Sequence, residues 1–314
     1  MARRALLQRL GDVDIRLLRI FAAVAERGGL AASEFELNIN RSTISKHLSD
    51  LEMRLGVTLC ARGPGGFSLT EEGARVLDAA HELLRSIERF QNDVEDIHAN
   101  LSGTLRFGLF DQSTTNPEAH LDAAIRAFDD IAPDVMLEIR VEPPNVIEAQ
   151  VVDGALDIAV VPLHRRSSSL DYTVLYDERM SLYCGRGHPL FDAPEDEEID
   201  LSAFKYAGFG FNSPNLNAGE RLALRKTAKV QDEEALSLLI QSGRYLGFLS
   251  DHVAVRFERA GAVRVVRPSR TSYVSTFAAI SRKRAAADRK TMAFLECLRA
   301  AHPKTRPTPA SPPS

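Results

Sequence analysis

The chain has 314 residues, 44% of them hydrophobic and 26% charged, with a formal net charge of −4. That length exceeds one compact core and predicts two or more domains, in a composition typical of globular proteins rather than disordered or fibrous ones. No apolar run is long enough to span a bilayer, and the opening MARRALLQRLGDVD lacks the apolar core and cleavage site of a secretory signal, so no membrane partner is expected and the expected compartment is the cytoplasm.

The charge is uneven. Residues 1–70 hold 10 Lys/Arg against 7 Asp/Glu, whereas residues 71–100 hold 3 against 8. A mildly basic first segment can serve nucleic acid only if its cations share a face. DIRLLRIFAAVAERGG places Ile15, Leu18, Phe21, Ala22 and Ala25 at helical spacing, with Asp14 as the expected N-cap and Gly28-Gly29 as the stop. The short helical pattern AASEFELN offers Phe35 and Leu37 to a core. Asn40 then caps a third helix, NRSTISKHLSDLEMRLG, whose Ile44, Leu48, Leu51 and Leu55 form one narrow apolar stripe.

Opposite that stripe stand Ser42, Ser45, Lys46 and Ser49, with Arg41 and Thr43 at the opening turn. Surface helices built only for solubility carry Glu and Lys, not short hydroxyls beside cations. The next stretch, VTLCARGPGGFSLT, reads as two β-prone pieces around a Gly-Pro-Gly-Gly turn with Arg62 at its base. A hairpin behind a helix-turn-helix is a wing. This arrangement predicts that the third helix enters the major groove of double-stranded DNA, with Arg41, Ser42, Thr43, Ser45, Lys46, Ser49 and Arg62 as DNA-binding candidates. The plainer alternative is a helical protein-interaction module with a solvated polar face.

The spacing Leu18, Phe21, Val24, Glu26, Gly28, then Ser45, Leu48, Leu51, Glu52, Leu55, Gly56, Leu59, Arg62, then Leu69, Thr70, Gly73 is more specific. It resembles, without gaps, the N-terminal domain of LysR-type transcriptional regulators. Three departures stand out: Ser33-Glu34 where the family has Ala-Ala, Asn40-Arg41-Ser42-Thr43-Ile44 where Ser-Gln-Pro-Ala-Val is frequent, and Cys60 where Phe is usual. Arg in place of Gln shifts the expected base preference from adenine to guanine.

From Thr70, Val76, Ala80, Leu83, Ile87, Phe90, Val94 and Ile97 fall at alternating steps of four and three, a heptad seam. The expected reading is a linker and dimerisation helix over 71–100, which resembles the family's own. Docking along its own domain's core would give the same pattern.

At Leu101 strand-like and helical stretches begin to alternate, predicting a largely parallel sheet with helices on both faces. DGALDIAV, GHPL and SGRYLGFLS resemble the family's effector-domain signatures, which imply a two-lobed clamp like periplasmic binding proteins, crossed near residues 162–170 and 267–275. The expected fold is thus α+β and multidomain: a winged helix-turn-helix over 1–70, the linker helix over 71–100, and a two-lobed α/β effector domain over 101–300. Lobe I covers about 101–162 and 276–300, lobe II about 163–275, and the Pro-rich 301–314 is a disordered tail.

Ligands in such sheets sit beyond the carboxyl ends of strands. This makes Gln112, Ser113, Thr114, Asn145, His164, Gly208, Phe209 and Ser250 the effector-binding candidates, and His164-Arg165-Arg166 suggests an anionic organic effector. No metal spacing joins Cys60, Cys184 and Cys297, a sparse odd count that fits a reducing compartment, and no catalytic motif or cofactor loop appears, so no cofactor is expected and the protein is read as no enzyme. The family resemblance further implies a homodimer or homotetramer, effector-dependent DNA bending, and RNA polymerase as a partner. Two rivals stay open at this stage: a cytoplasmic binder or enzyme built on the clamp, and an architectural DNA-binding protein without an effector.

Overall fold

The computed structural model describes residues 10–63, 66–95, 101–194, 199–283 and 288–303. The chain divides into two compact units between Val94 and Glu95.

In the first unit, helices α1 (Asp12–Glu26), α2 (Leu30–Leu37) and α3 (Arg41–Leu55) precede a hairpin of β1 (Cys60–Gly63) and β2 (Gly66–Leu69), followed by α4 (Glu71–Glu95). Leu17, Leu18, Phe21 and Val24 close on Ile44, Leu48 and Leu51 to make one core that also takes Leu59, Cys60 and Ala80. Each of the Leu, Ile, Val and Phe side chains contributes about 1.5–3 kcal/mol by leaving water. Glu52, on the half-buried flank of α3, accepts the Leu59 amide at 2.8 Å and so ties the wing to the helix.

Two expectations fail here. Phe35 does not enter the core but is 97% exposed, because an eight-residue helix fills its inward positions with Leu30, Leu37 and the buried Ser33. The Ser33 hydroxyl is satisfied by donating to the Gly29 carbonyl at 2.8 Å. Asp14 is not the N-cap, which is Gly11; it lies in the first turn, where its carboxylate accepts from the Gly11 amide at 2.9 Å and from Arg54 of α3, Nη2 at 2.9 Å.

The Arg54 hydrogen bond holds the buried Asp14 carboxyl below its ordinary range. A depressed folded-state pKa stabilises above the unfolded value, about 3.9, and the contribution is lost as pH falls through the folded value. Asp14→Asn should therefore lower the urea midpoint of this unit at pH 7 and lower it by less at about pH 2. An unchanged difference at both pH values would remove the ion pair from the account.

The second unit is built on a seven-stranded sheet. It contains β3 (Ser102–Leu109), β4 (Asp134–Val141), β5 (Ile158–Pro162), β6 (Leu170–Gly185), β9 (Gly247–Ser250), β10 (Val263–Val265) and β11 (Tyr273–Arg282), ordered β10-β6-β11-β5-β3-β4 with β9 also on β6. A smaller parallel pair joins β7 (Lys205–Phe209) to β8 (Arg225–Val230). Among the described residues seven α-helices surround them: α5 (Leu121–Ile131), α6 (Pro144–Asp153), α7 (Pro214–Arg221), α8 (Glu233–Gln241), α9 (Asp251–Arg259), α10 (Pro268–Thr271) and α11 (Arg289–Ala301).

The large sheet is mixed rather than largely parallel. Only β3 pairs parallel, with β4 and β5, while β6 and β11 run antiparallel to each other. Those two long strands carry the chain between lobes. The first half of β6 pairs β11 from Leu170 to Met180, and its second half takes β9 and β10 from Met180 to Gly185. The first crossing thus lies within β6 rather than in a loop near 162–170. One lobe packs Leu105, Phe107, Phe128, Ile158, Val160 and Phe294; the other packs Leu182, Phe248, Leu236, Ile240 and Leu249 in two adjoining clusters. The expected tail begins later than residue 301, since His302 is buried and bridges the carbonyls of Leu298 and Ala119; residues 304–314 lie outside the described residues.

Candidate nucleic-acid interface and effector cavity

On α3 the apolar stripe and the polar face separate cleanly. Ile44, Leu48 and Leu51 are at most 1% exposed, whereas Arg41, Ser42, Lys46 and Ser49 are exposed and Thr43 and Ser45 half-buried. Asn40 caps the helix by accepting the Thr43 amide at 2.9 Å, and its oxygen also takes the Ser42 hydroxyl at 2.7 Å. Ser49 donates back to the Ser45 carbonyl at 3.0 Å, which leaves its oxygen as an acceptor. Glu34, one of the departures in α2, accepts the Arg41 amide and so fixes the tight turn between the two helices. The Arg62 backbone pairs with Phe67 in the hairpin, while its side chain lies outside the described residues.

The seam on α4 is divided. Ala80 is 2% exposed inside its own unit's core, with Val76 and Leu83 packed against that core. Further along, Ile87 is half-buried and Phe90 is 68% exposed. The Val94 side chain and all of Ile97 lie outside the described residues. The start of the seam therefore docks on its own domain, and an apolar groove beside it is lined by Leu10, Leu18, Leu55 and Val57.

The second unit holds a small cavity of about 20 Å³. Its walls are Phe110, Phe209, Phe211 and Phe277, with Glu178 of β6, Glu233 at the start of α8, and Ser213, Pro214 and Asn215 at the start of α7. Glu178 Oε2 lies 3.0 Å from His252 Nε2 and accepts from Asn116 Nδ2 at 3.0 Å. Glu233 is buried, accepts the Ser250 hydroxyl at 3.0 Å, and gives its own amide to Asp111. Burial, then the charges of Glu178 and Asp111, push its carboxyl well above the ordinary range.

Of the eight expected effector residues, Phe209 lines this cavity and Ser250 stands behind it through Glu233. The others are not among its lining residues. Ser113 turns its hydroxyl onto the Phe110 carbonyl at 2.8 Å, Gln112 occupies the turn before it, and Thr114 and Asn145 are exposed. Gly208 abuts the Tyr206 ring, and the His164 imidazole is buried beside Glu148. The expected anion site also dissolves: Arg165 pairs with Glu148 at 2.7 Å and Arg166 lies over the Tyr172 ring. Glu178, Glu233, Ser213 and Asn215, which the sequence did not single out, do line it.

Among the described residues no helix is long and apolar enough to cross a membrane. The chain matches two family descriptions, bacterial regulatory helix-turn-helix protein, lysR family, over residues 15–74, and LysR substrate binding domain over residues 98–303. It is 38% identical over 284 residues to the HTH-type transcriptional activator BauR of Pseudomonas aeruginosa, covering 90% of this chain and 93% of that protein. It is 33% identical over 173 residues to a probable hydrogen peroxide-inducible genes activator of Mycobacterium xenopi, covering 55% of this chain and 90% of that one. The solved structure of CbnR, a LysR family transcriptional regulator, superposes with a TM-score of 0.65 at 19% identity over 92% of this chain and 99% of that one.

Proposed function

Because this chain belongs to the LysR family of DNA-binding bacterial transcriptional regulators, we propose that it reads an operator with α3 and answers to a small organic effector held in its C-terminal unit. The observation that carries this reading is the outward face of α3, where Arg41, Ser42, Lys46 and Ser49 stand exposed opposite a buried apolar stripe. Residues 1–70 bind DNA, with Thr43, Ser45 and Arg62 completing the contact, 71–100 pair two copies, and 101–300 sense. The exposed Phe90 end of α4 gives the second copy a place to dock. Homodimers, or dimers of dimers, bring two reading heads to one operator and multiply two weak contacts.

The effector acts by binding two assembly states with different affinity, a coupling of about 1–3 kcal/mol, and changes the DNA bend and thereby transcription. Activation through contact with RNA polymerase is favoured by the relative named an activator. The unit binds its ligand without turning it over, and the protein works in the cytoplasm. Peroxide sensing, suggested by the name of the mycobacterial relative, fits less well. It needs a thiolate within reach of solvent. Here Cys60, Cys184 and Cys297 are all buried, and burial pushes the Cys184 thiol up to about 12.

Titration of a labelled promoter duplex at rising salt tests the proposal. Affinity should fall linearly on log–log axes with a steep slope, because neutralised phosphates release counterions, and Lys46→Ala should flatten it by about one unit. A slope near zero for the parent protein would reject phosphate-driven DNA binding.

A further inference from the structure

The cavity of the second unit lies between its two lobes. Phe110, Pro162 and Phe277 reach it from the first lobe, and Phe209, Asn215 and Glu233 from the second. Its volume of about 20 Å³ admits about one water, whereas sites for organic ligands need about 300 Å³ or more. With the lobes in this arrangement no organic effector fits between them. The contacts that hold the lobes shut therefore govern access.

One short stretch, residues 110–116, supplies such contacts. Both of its ends are rooted in the first lobe. It leaves β3 after Leu109; at its far end Asn116 Nδ2 donates to Glu178 Oε2 of β6 at 3.0 Å, and the Ala119 carbonyl lies 2.8 Å from His302 Nε2. Its middle is fastened to the second lobe. The Phe110 ring meets Phe209 and Phe211 edge-on at 5.8 and 6.0 Å, and Asp111 Oδ2 accepts the Glu233 amide, at the start of α8, at 3.0 Å. Thr115 Oγ1 lies 2.9 Å from Nδ1 of His252 on α9, whose Nε2 lies 3.0 Å from Glu178 Oε2. Both nitrogens of one imidazole thus hold the second lobe to the first.

The fastened form is also strained. Gln112, inside the stretch, has a φ of 60°, in the left-handed region that residues other than glycine rarely adopt. Burial, then the charges of Glu178 and Asp111, hold the Glu233 carboxyl well above its ordinary range. On the cavity wall the Ser213 hydroxyl and Asn215 Nδ2 are buried without a hydrogen-bond partner, which native proteins seldom tolerate. Contacts that favour closure and strains that closure imposes oppose each other, the condition for two populated states. We propose that residues 110–116 are an autoinhibitory strap, sealing the space between the lobes so that an effector enters only after Asp111 releases α8 and Thr115 releases His252. This deepens the proposed regulatory function and rests on it. The apparent affinity for any effector is then that of the open form multiplied by the open fraction.

The test measures the distance between the lobes in the full-length protein by pulsed electron paramagnetic resonance. Nitroxides are attached through Asp153→Cys on α6 and Arg259→Cys on α9, both exposed, while Cys60, Cys184 and Cys297 are buried; dilution with unlabelled chains leaves only distances within one chain. The strapped protein should show one short distance, with an open fraction of a few per cent at most, about the usual minor-state population. Asp111→Ala and His252→Ala should each raise the open-to-closed ratio roughly tenfold, and together they should bring a second, longer distance to about equal weight or more. Should the His252 variant fail to fold, Asp111→Ala with Thr115→Val, the latter at an exposed side chain, tests the same fastening. Both distances already populated with the strap intact would overturn the proposal. So would folded variants that keep the short distance alone, or that merely broaden it, since that marks a loosened loop and not an opened clamp. No ligand or DNA enters the measurement. Its failure therefore leaves the regulatory reading to the salt titration of the promoter, and a flat titration leaves the strap standing.

Discussion

Gly73→Ala should unfold the DNA-binding unit at temperatures where the C-terminal unit remains intact. A Cβ at Gly73 would lie 1.9 Å from the Leu59 carbonyl oxygen and 2.8 Å from its carbon, both backbone atoms that no rotamer change can move. The approach is close because α4 starts directly beneath the entry to the wing. Thr70 donates its amide to the Leu59 carbonyl at 3.0 Å, and its hydroxyl oxygen accepts the Gly73 amide at 2.8 Å. Adding one methyl group forces the helix away from β1, breaks the Thr70 cap and opens the core at Leu59 and Ala80. A loss of about 3 kcal/mol or more follows, at the upper end of overpacking costs. The control is Gly28→Ala. Gly28 has a φ of 70° but open space around its missing Cβ, so only the left-handed backbone penalty of about 1 kcal/mol applies. Differential scanning calorimetry of the whole chain, which resolves separate domain transitions, should show the early transition shifted far more by the first substitution than by the second. Equal shifts would mean that the packing of α4 on the wing is looser than the contact implies.

This glycine was legible in the sequence as the last position of a spaced pattern, although its physical task was not. The same holds for much of the first unit. The Ile44, Leu48, Leu51 stripe is a period of 3.6 over about two turns, and all three residues are buried as that period demands. Short elements carried less information: over the eight residues of α2 the pattern could not tell whether Phe35 or Ser33 faced inward, and the hydroxyl won because carbonyls of Gly29 and Ala23 were there to receive it. Asp14 looked like a cap because acidic residues at helix starts usually are, while its real partner, Arg54, is forty residues away.

The cavity was least legible. Glu178 sits in a strand where alternation suggests a solvated side chain, and Glu233 in a first helical turn where any carboxylate complements the dipole. Neither residue looks unusual alone. Only the crossing of β6 beside the start of α8 turns two ordinary glutamates into a buried acidic pair, and no local pattern encodes that juxtaposition. Asn215 and Ser213 hid likewise behind a Ser-Pro-Asn stretch that reads as a helix start and is one. The cationic loop at His164, conspicuous in sequence, was misleading because Glu148, its neutralising partner, lies on the preceding helix.

Arg41→Ala should change which DNA the protein prefers, not merely how tightly it binds. Arg41 is the first residue of α3, exposed, with its amide held by Glu34, so that its side chain leaves the helix at the N-terminal end. Residues in that turn of a recognition helix reach base edges, and a planar guanidinium matches the O6 and N7 acceptors of guanine in a way a point charge does not. Losing such a contact costs about 1–3 kcal/mol at one base pair, or roughly tenfold to a hundredfold in discrimination there. Lys46, exposed one turn further on, supplies charge without geometry, so Lys46→Ala should weaken every duplex by a similar factor. Competition among promoter duplexes that differ at single base pairs separates the two. If Arg41→Ala lowers affinity for all of them alike and leaves the preferred base unchanged, Arg41 is a phosphate contact. Base reading then passes to Ser42, Thr43 and Ser45, whose single hydroxyls discriminate less sharply than a bidentate fork.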